Sequence, residues 1–249
     1  MRLSVRVGAV EFKGLTDKGF LIGPEGFKGW DDSTPTKRQS VDRPWAHGAF
    51  GIRGFRDVRV VTLAGHCFAD SEQQLNWYDS QLTGLLADGD IGRIVVEHSG
   101  VTTWADCYLD DETQFDMIAA GALATFQIKF WCPNPRKFGD AHTFASGVPA
   151  FHYGNFPATP VHVVSGAMSG YTIYGPAGKQ YVVTAPVVAG HPHTIDMATG
   201  YLSIDGAVVA GAVSQADTWA IPAGAQVTHA LVPTSGSGTL ATTVIDTYI

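Results

Sequence analysis

The sequence predicts a mainly β protein in two modules, a strand-rich N-terminal module with one helix and a C-terminal β-sandwich. Three observations lead there. Residues 1–150 hold 15 of the 16 Lys/Arg and 19 of the 23 Asp/Glu, whereas residues 151–249 keep Lys179, Asp196, Asp205, Asp217 and Asp246. A break that sharp marks two modules with different surfaces. The 29 glycines and 13 prolines punctuate strands rather than helices. A helical period occurs once, in the first module, and nowhere in the second.

In chain order, Leu3, Val5 and Val7 alternate with polar residues and predict a strand rather than a targeting segment. Residues 19–22 form a second strand before a Gly/Pro-rich stretch at 23–35, and residues 58–63 a third. From Ser71 the period changes. Leu75, Tyr78, Leu82, Leu85 and Leu86 fall on one helical face, with a Ser71/Gln74 capping box at the start and Gly89 at the end. Strands are predicted at 91–97, 101–109 and 122–131, after which Pro133 and Pro135 stop regular structure. Residues 134–149 read as a linker, which places the modules at 1–140 and 141–249.

The second module shows short, regularly spaced strand patterns at 161–164, 171–174, 181–184, 193–197, 201–204, 207–209, 218–221, 227–232 and 239–249. Asp205-Gly206 between two of them predicts a two-residue hairpin. Many short strands in so short a module are the mark of a sandwich or jelly roll.

Chemistry is sparse. A net charge of −7 without a cationic stripe argues against nucleic acid as a partner. The densest cationic stretch, residues 37–59, holds six Lys/Arg interleaved with Asp42 and Asp57 and reads as a solvated or subunit-facing surface. No apolar run approaches the ~18 residues of a membrane helix, so a soluble protein made in the cytosol is expected, with no membrane partner. Cys67, Cys107 and Cys132 fit neither a metal spacing nor a disulfide framework and are expected as buried thiols. Gly175-Pro-Ala-Gly-Lys179 lacks the spacing and hydroxyl of a phosphate loop and reads as a turn. His191 and His193 could share a strand face and, with Asp196, hold a metal, but a loop entering a strand accounts for them. Asp110-Asp111-Glu112 with Asp116 lacks the glycine and glutamate spacing of a calcium loop. Of six tryptophans, Trp30, Trp45, Trp77, Trp104 and Trp131 lie in the first module. Trp219 and the second module's tyrosines are the only candidates for a sugar-stacking platform. No nucleophile elbow or zinc helix is present in the sequence, so no catalytic, cofactor-binding or metal-binding residue is assigned and an enzyme is not expected.

The order of motifs says more than any one of them. Arg43-Pro-Trp-Ala-His-Gly-Ala-Phe50 precedes Arg59-Val-Val-Thr-Leu-Ala-Gly65. The helix with Leu85-Leu86 follows, then Ala124-Thr-Phe-Gln-Ile-Lys-Phe-Trp-Cys-Pro-Asn-Pro-Arg136, and then Asn155 and Pro160 before Gly166. The second half adds Gly190 with Ile195-Asp196, Leu202-Ser-Ile-Asp205-Gly206 and the turn Ile221-Pro-Ala-Gly-Ala-Gln226. This succession, over roughly residues 15–245, resembles the distal tail protein family of phages with long, non-contractile tails. It departs from the family at Lys137-Phe138, where an aromatic often closes the proline element.

The resemblance implies a tube-protein-like split β-barrel with one packed helix, followed by a galectin-like or jelly-roll sandwich. It implies a structural virion protein that forms a homo-hexameric ring at the tail tip. Its partners would be the tail tube protein, the tape-measure protein and the tip or receptor-binding proteins. Assembly would take place in the host cytoplasm, and no cofactor is implied. A carbohydrate-binding adhesion module is the alternative from a different class, with the sandwich gripping host-surface glycans.

Overall fold

The computed structural model describes residues 3–119 and 122–249 and divides into two compact units, the first running to Lys137 and the second spanning Phe138–Tyr248.

The first unit is built from β1 (Leu3–Val7), β2 (Val10–Lys13), β3 (Gly19–Lys28), β4 (Thr36–Lys37), β5 (Phe55–Arg56), β6 (Arg59–Phe68), α1 (Glu72–Thr83), β7 (Gly92–His98), β8 (Val101–Leu109), β9 (Gln114–Ala119) and β10 (Leu123–Cys132). Seven strands close a barrel in the order β8-β7-β1-β2-β3-β6-β10. β10 returns to β8 through Phe130 opposite Leu109 and Trp131 opposite Tyr108. All pairings round the barrel are antiparallel except β2 with β3, which run parallel with Phe12 opposite Phe20. Burial alternates strictly along β10, where Ala124, Phe126, Ile128, Phe130 and Cys132 point inward. That is the period-2 pattern of a strand with one covered face. Phe12, Phe20 and Phe126 meet at ring-centroid distances of 5.2–5.5 Å, and α1 adds Leu75 and Leu82 to the same core.

The helix begins as its sequence predicts. Ser71 accepts from the Gln74 amide at 3.2 Å. The Gln74 side chain, however, accepts from the Asp70 amide at 2.7 Å, one residue earlier than a capping box requires. The helix closes at Gly84 rather than Gly89. Leu85 and Leu86 lie in the turns that follow and still pack on the core.

β3 runs longer than its sequence suggests. It continues through Gly23-Pro-Glu-Gly26 with a shift in register between Ile22 and Phe27. Glycine makes this possible. A Cβ on Gly26 would stand 1.8 Å from the Ala64 carbonyl oxygen, and one on Gly65 would stand 2.0 Å from that of Leu21. The two backbones approach too closely for any side chain.

The second unit contains β11 (Lys137–Ala145), β12 (Pro149–Ala150), β13 (Val161–Met168), β14 (Tyr171–Tyr174), β15 (Gln180–Val183), β16 (His193–Asp196), β17 (Tyr201–Ile204), β18 (Ala207–Val208), β19 (Val213–Ala216), β20 (Val227–Thr228), β21 (Ala230–Pro233) and β22 (Gly236–Tyr248). One sheet runs β18-β17-β16-β13-β22-β11, the other β19-β15-β14-β21, and β12 pairs with β20. Val164, Tyr171, Ile173, Tyr181, Ile195, Leu202 and Leu240 form the core of this sandwich. Asp205 and Gly206 both have positive φ, 50° and 81°, as a two-residue hairpin requires.

Two sequence expectations give way here. Residues 134–149, read as a linker, contain β11, whose Gly and polar residues hide its pattern. Residues 218–221 form no strand; Ile221 makes an isolated bridge to Ala158.

Candidate assembly surface

Between β3 and β6 the chain leaves the barrel as a long hairpin arm. Its rungs are the Asp57 amide on the Pro35 carbonyl at 2.8 Å, the β4–β5 pair, the Phe50 amide on Val41 at 2.9 Å and the Arg43 amide on Gly48 at 3.0 Å. The tip is Pro44-Trp-Ala-His47, with Trp45 at a positive φ of 66° and fully exposed (103%). Val41, Phe50, Ile52 and Phe55 are exposed as well. Arg43 lies over the Phe50 ring at 5.8 Å and Arg53 over Phe55 at 5.7 Å. Lys37, Arg38, Gln39, Ile52, Arg53 and Phe55 line a pocket of about 520 Å³ on the arm.

The root of the arm is clamped. The Arg59 guanidinium, 1% exposed, donates to the carbonyls of Gly29, Trp30 (2.8 Å), Asp32 (3.1 Å) and Pro135 (3.1 Å). Lys137 Nζ donates to the same Trp30 carbonyl at 2.8 Å. Both cations also stand over the Trp30 ring, at 6.0 and 5.6 Å. Burial holds the pKa of each below its ordinary value, and for Lys137 the neighbouring guanidinium adds to this. Farther out, Arg56 ties the hairpin by donating to Ser33 Oγ and the Thr34 carbonyl, each at 3.0 Å. An apolar, cationic arm thus projects from a rigid base.

A second unpartnered feature lies on the same unit. β9 sits outside the closed barrel and among the described residues pairs only with β10, through residues 123–127. Met117 and Ile118 on it are about half exposed (48% and 56%). Asp110, Asp111, Glu112 and Asp116 lead into it or stand on it, and Asp111 is engaged by Lys129 at 2.8 Å. A strand edge with exposed apolar side chains is a site for pairing with another chain.

The other candidates separate. His193 is buried, with Nδ1 3.2 Å from the Tyr171 hydroxyl, whereas exposed His191 meets Asp205 at 2.6 Å and Asp196 accepts from the Ala198 amide. The three do not converge, and among the described residues no group of three or more His, Cys, Asp or Glu could hold a metal. Residues 176–178 form a short 3₁₀ turn, and Lys179 donates to the Thr218 carbonyl. Cys67, Cys107 and Cys132 are free and buried, and burial pushes their thiols up to about 12, 11 and 12.

Trp219 is no stacking platform. It is buried and donates Nε1 to His229 Nε2 at 2.9 Å. Its neighbour His162 is fully buried, 4.9 Å from His229 between ring centroids, with Nδ1 2.9 Å from Thr242 Oγ1. Burial lowers the two imidazoles to about 3 (His162) and about 4 (His229). Nine histidines scattered in sequence gave no sign of this cluster. Among the tyrosines, Tyr153 is exposed (69%), edge-on to Phe151 and His142 at 5.5 and 5.4 Å. Asp246 accepts from its amide at 2.7 Å and faces His142 Nε2 at 3.1 Å.

No protein-family model and no curated protein matches the chain. Its fold does have solved counterparts. The Dit protein of phage SPP1, described as a paradigm of the hub adsorption apparatus in phages infecting Gram-positive bacteria, superposes with a TM-score of 0.79 over 99% of both chains at 13% identity. Chains of the phage P2 baseplate in its activated conformation, solved with Ca and with Sr, align at 10% identity over 98% and 97% of both chains. Their TM-scores of 0.46 and 0.45 mark a looser likeness. The chain therefore has the fold of SPP1 Dit along its whole length.

Proposed function

We propose that this protein is a structural hub of a phage tail. Copies of it assemble into a hexameric ring at the distal end of a long non-contractile tail and join the tube to the tip. The observation that supports this most is the likeness to SPP1 Dit across both units, at a level where two unrelated domains would have had to coincide in order and topology. The barrel unit forms the ring. A closed ring needs two different patches that meet around the axis, and the arm and the β9 edge are two such patches on one unit. The sandwich unit, with its few charges, contacts the tip or receptor-binding proteins; the tube and tape-measure proteins contact the ring. The protein resides in the virion, is assembled in the host cytoplasm and catalyses no reaction.

Light scattering of the purified full chain at micromolar concentration, with negative-stain imaging, tests the reading. Six-fold rings and a mass six times 26.5 kDa are expected. A monomer at every concentration, and also in the presence of the tube protein, overturns it.

A second reading is favoured by one observation, the exposed Tyr153 ring beside Phe151 and His142. An exposed aromatic ring with the polar His142 and Asp246 close by suits the apolar face of a sugar, so the sandwich would bind host-surface glycans. A glycan array with no signal at millimolar ligand, or one unchanged by Tyr153→Ala, removes it.

A further inference from the structure

The arm and the β9 edge are opposite in charge and alike in exposing apolar groups. Residues 33–56 carry Lys37, Arg38, Arg43, Arg53 and Arg56 against Asp42 alone. Residues 110–128 carry Asp110, Asp111, Glu112 and Asp116 with no Lys or Arg. Lys37 has Asp57 at 3.8 Å and Arg56 is spent on the hairpin root. Arg38, Arg43 and Arg53 form no ion pair among the described residues. On the other side, Lys129 pairs with Asp111 and lies within the field of Asp110 and Glu112, but among the described residues Asp110, Glu112 and Asp116 form no ion pair.

The two features border one strand, β10, with the apolar part of β9 at the end away from the arm. The arm runs into β6 at Arg59, opposite Cys132 at the end of β10. β9 pairs with β10 from its start at Leu123. At ~3.3 Å per residue, Met117, opposite Ala124, lies about 25 Å along β10 from Cys132, whereas Asp110, whose amide donates to the Lys129 carbonyl, lies about 10 Å from it. The hairpin bonds hold the arm to itself and its root to Arg59, and among the described residues Val41, Trp45, Phe50, Ile52 and Phe55 stay exposed on it.

We propose that the arm of one copy docks on the β9 edge of the next copy. Arg38 and Arg53 meet Asp110, Glu112 and Asp116, and Trp45 and Phe50 cover Met117 and Ile118. The contact is head-to-tail, so each copy offers one arm and receives another. It accounts for two exposed apolar surfaces at once, and opposite charge fixes their register and speeds their encounter. This inference rests on the self-assembly reading above and names the residues through which assembly occurs.

Charge reversal in the full chain tests it. Arg38→Glu/Arg53→Glu, and separately Asp110→Lys/Glu112→Lys, are each expected to raise the concentration of half-assembly at least about tenfold. Combining the four substitutions in one chain is expected to restore assembly. Raising salt from about 0.1 M to about 1 M, which shortens the screening length from ~10 Å to ~3 Å, weakens the wild type alike. All four positions are on the surface, and a far-UV melt confirms that each variant folds.

A disulfide trap gives a second readout that does not depend on charge. In a Trp45→Cys/Ile118→Cys chain, mild oxidation yields a ladder of cross-linked copies, and the buried native thiols give no background. If the wild type assembles but the reversals and the trap have no effect, the arm–edge contact is wrong and the ring reading stands. If both reversals dissociate the assembly and the combination fails to restore it, the pairing is wrong. If the wild type never assembles, the reading beneath is lost as well.

Discussion

Single residues decide where the barrel is stiff and where the sandwich is sensitive to acid. Arg59 satisfies four backbone carbonyls with one buried guanidinium. Its replacement by Ala strands buried acceptors, and a loss of about 2–4 kcal/mol is expected in a denaturant titration of the full chain. In the sandwich, unfolded histidine titrates near 6.5, while folded His162 and His229 are held at about 3 and about 4. Between those values the unfolded chain binds more protons, so stability falls as pH falls. Each histidine contributes about 1.4 kcal/mol per pH unit below about 6.5 until its own folded pKa is reached. Thermal melts from pH 7 to pH 4 should show the sandwich losing stability, and a flat profile would sink this account. The arginine before the Thr-Leu-x-Gly run belongs to the motif series, yet its role as a clamp was not legible, because its partners are carbonyls and carbonyls leave no mark in sequence. The histidines were equally silent, since His162 on β13 faces His229, between β20 and β21, from a distant part of the chain.

At the scale of elements, periodicity served well wherever one face is covered and one is wet. β8, β14 and β17 have the predicted bounds, and α1 starts at its predicted cap. It failed where the pattern is interrupted. The Gly/Pro run inside β3 reads as a loop but is the bulged part of a strand, held against β6 by two side-chain-free contacts. Gly65→Ala would push a methyl group into the Leu21 carbonyl. A cost of about 2–3 kcal/mol is expected, measurable as a lower midpoint in urea, with the damage confined to the barrel. β9 and the arm hairpin were missed because their residues are exposed, and an exposed strand has no apolar alternation to read. The arm's cationic composition was visible. Its projection from the barrel was not.

For the whole molecule, the abrupt fall in charge near residue 150 leads to an expectation of two modules, and the chain divides into compact units between Lys137 and Phe138. The shift reflects β11, a strand whose charged first residues resemble the module before it. Each unit has its own core, so a fragment of residues 138–249 is expected to fold alone and stay monomeric. Circular dichroism and light scattering check this; an unfolded fragment, or one that assembles as the full chain does, counts against the division of labour proposed here. The fold agrees with SPP1 Dit at 13% identity, since burial pattern and strand order define a topology that two very different sequences can share.

Trp45 stands free in solvent at the arm tip, while Trp30 and Trp219 are enclosed. An indole that trades water for protein emits at shorter wavelength. The arm therefore comes with its own optical gauge: dilution of a concentrated stock should redden the fluorescence as copies part, and Trp45→Phe should abolish most of that change while leaving the enclosed indoles unmoved.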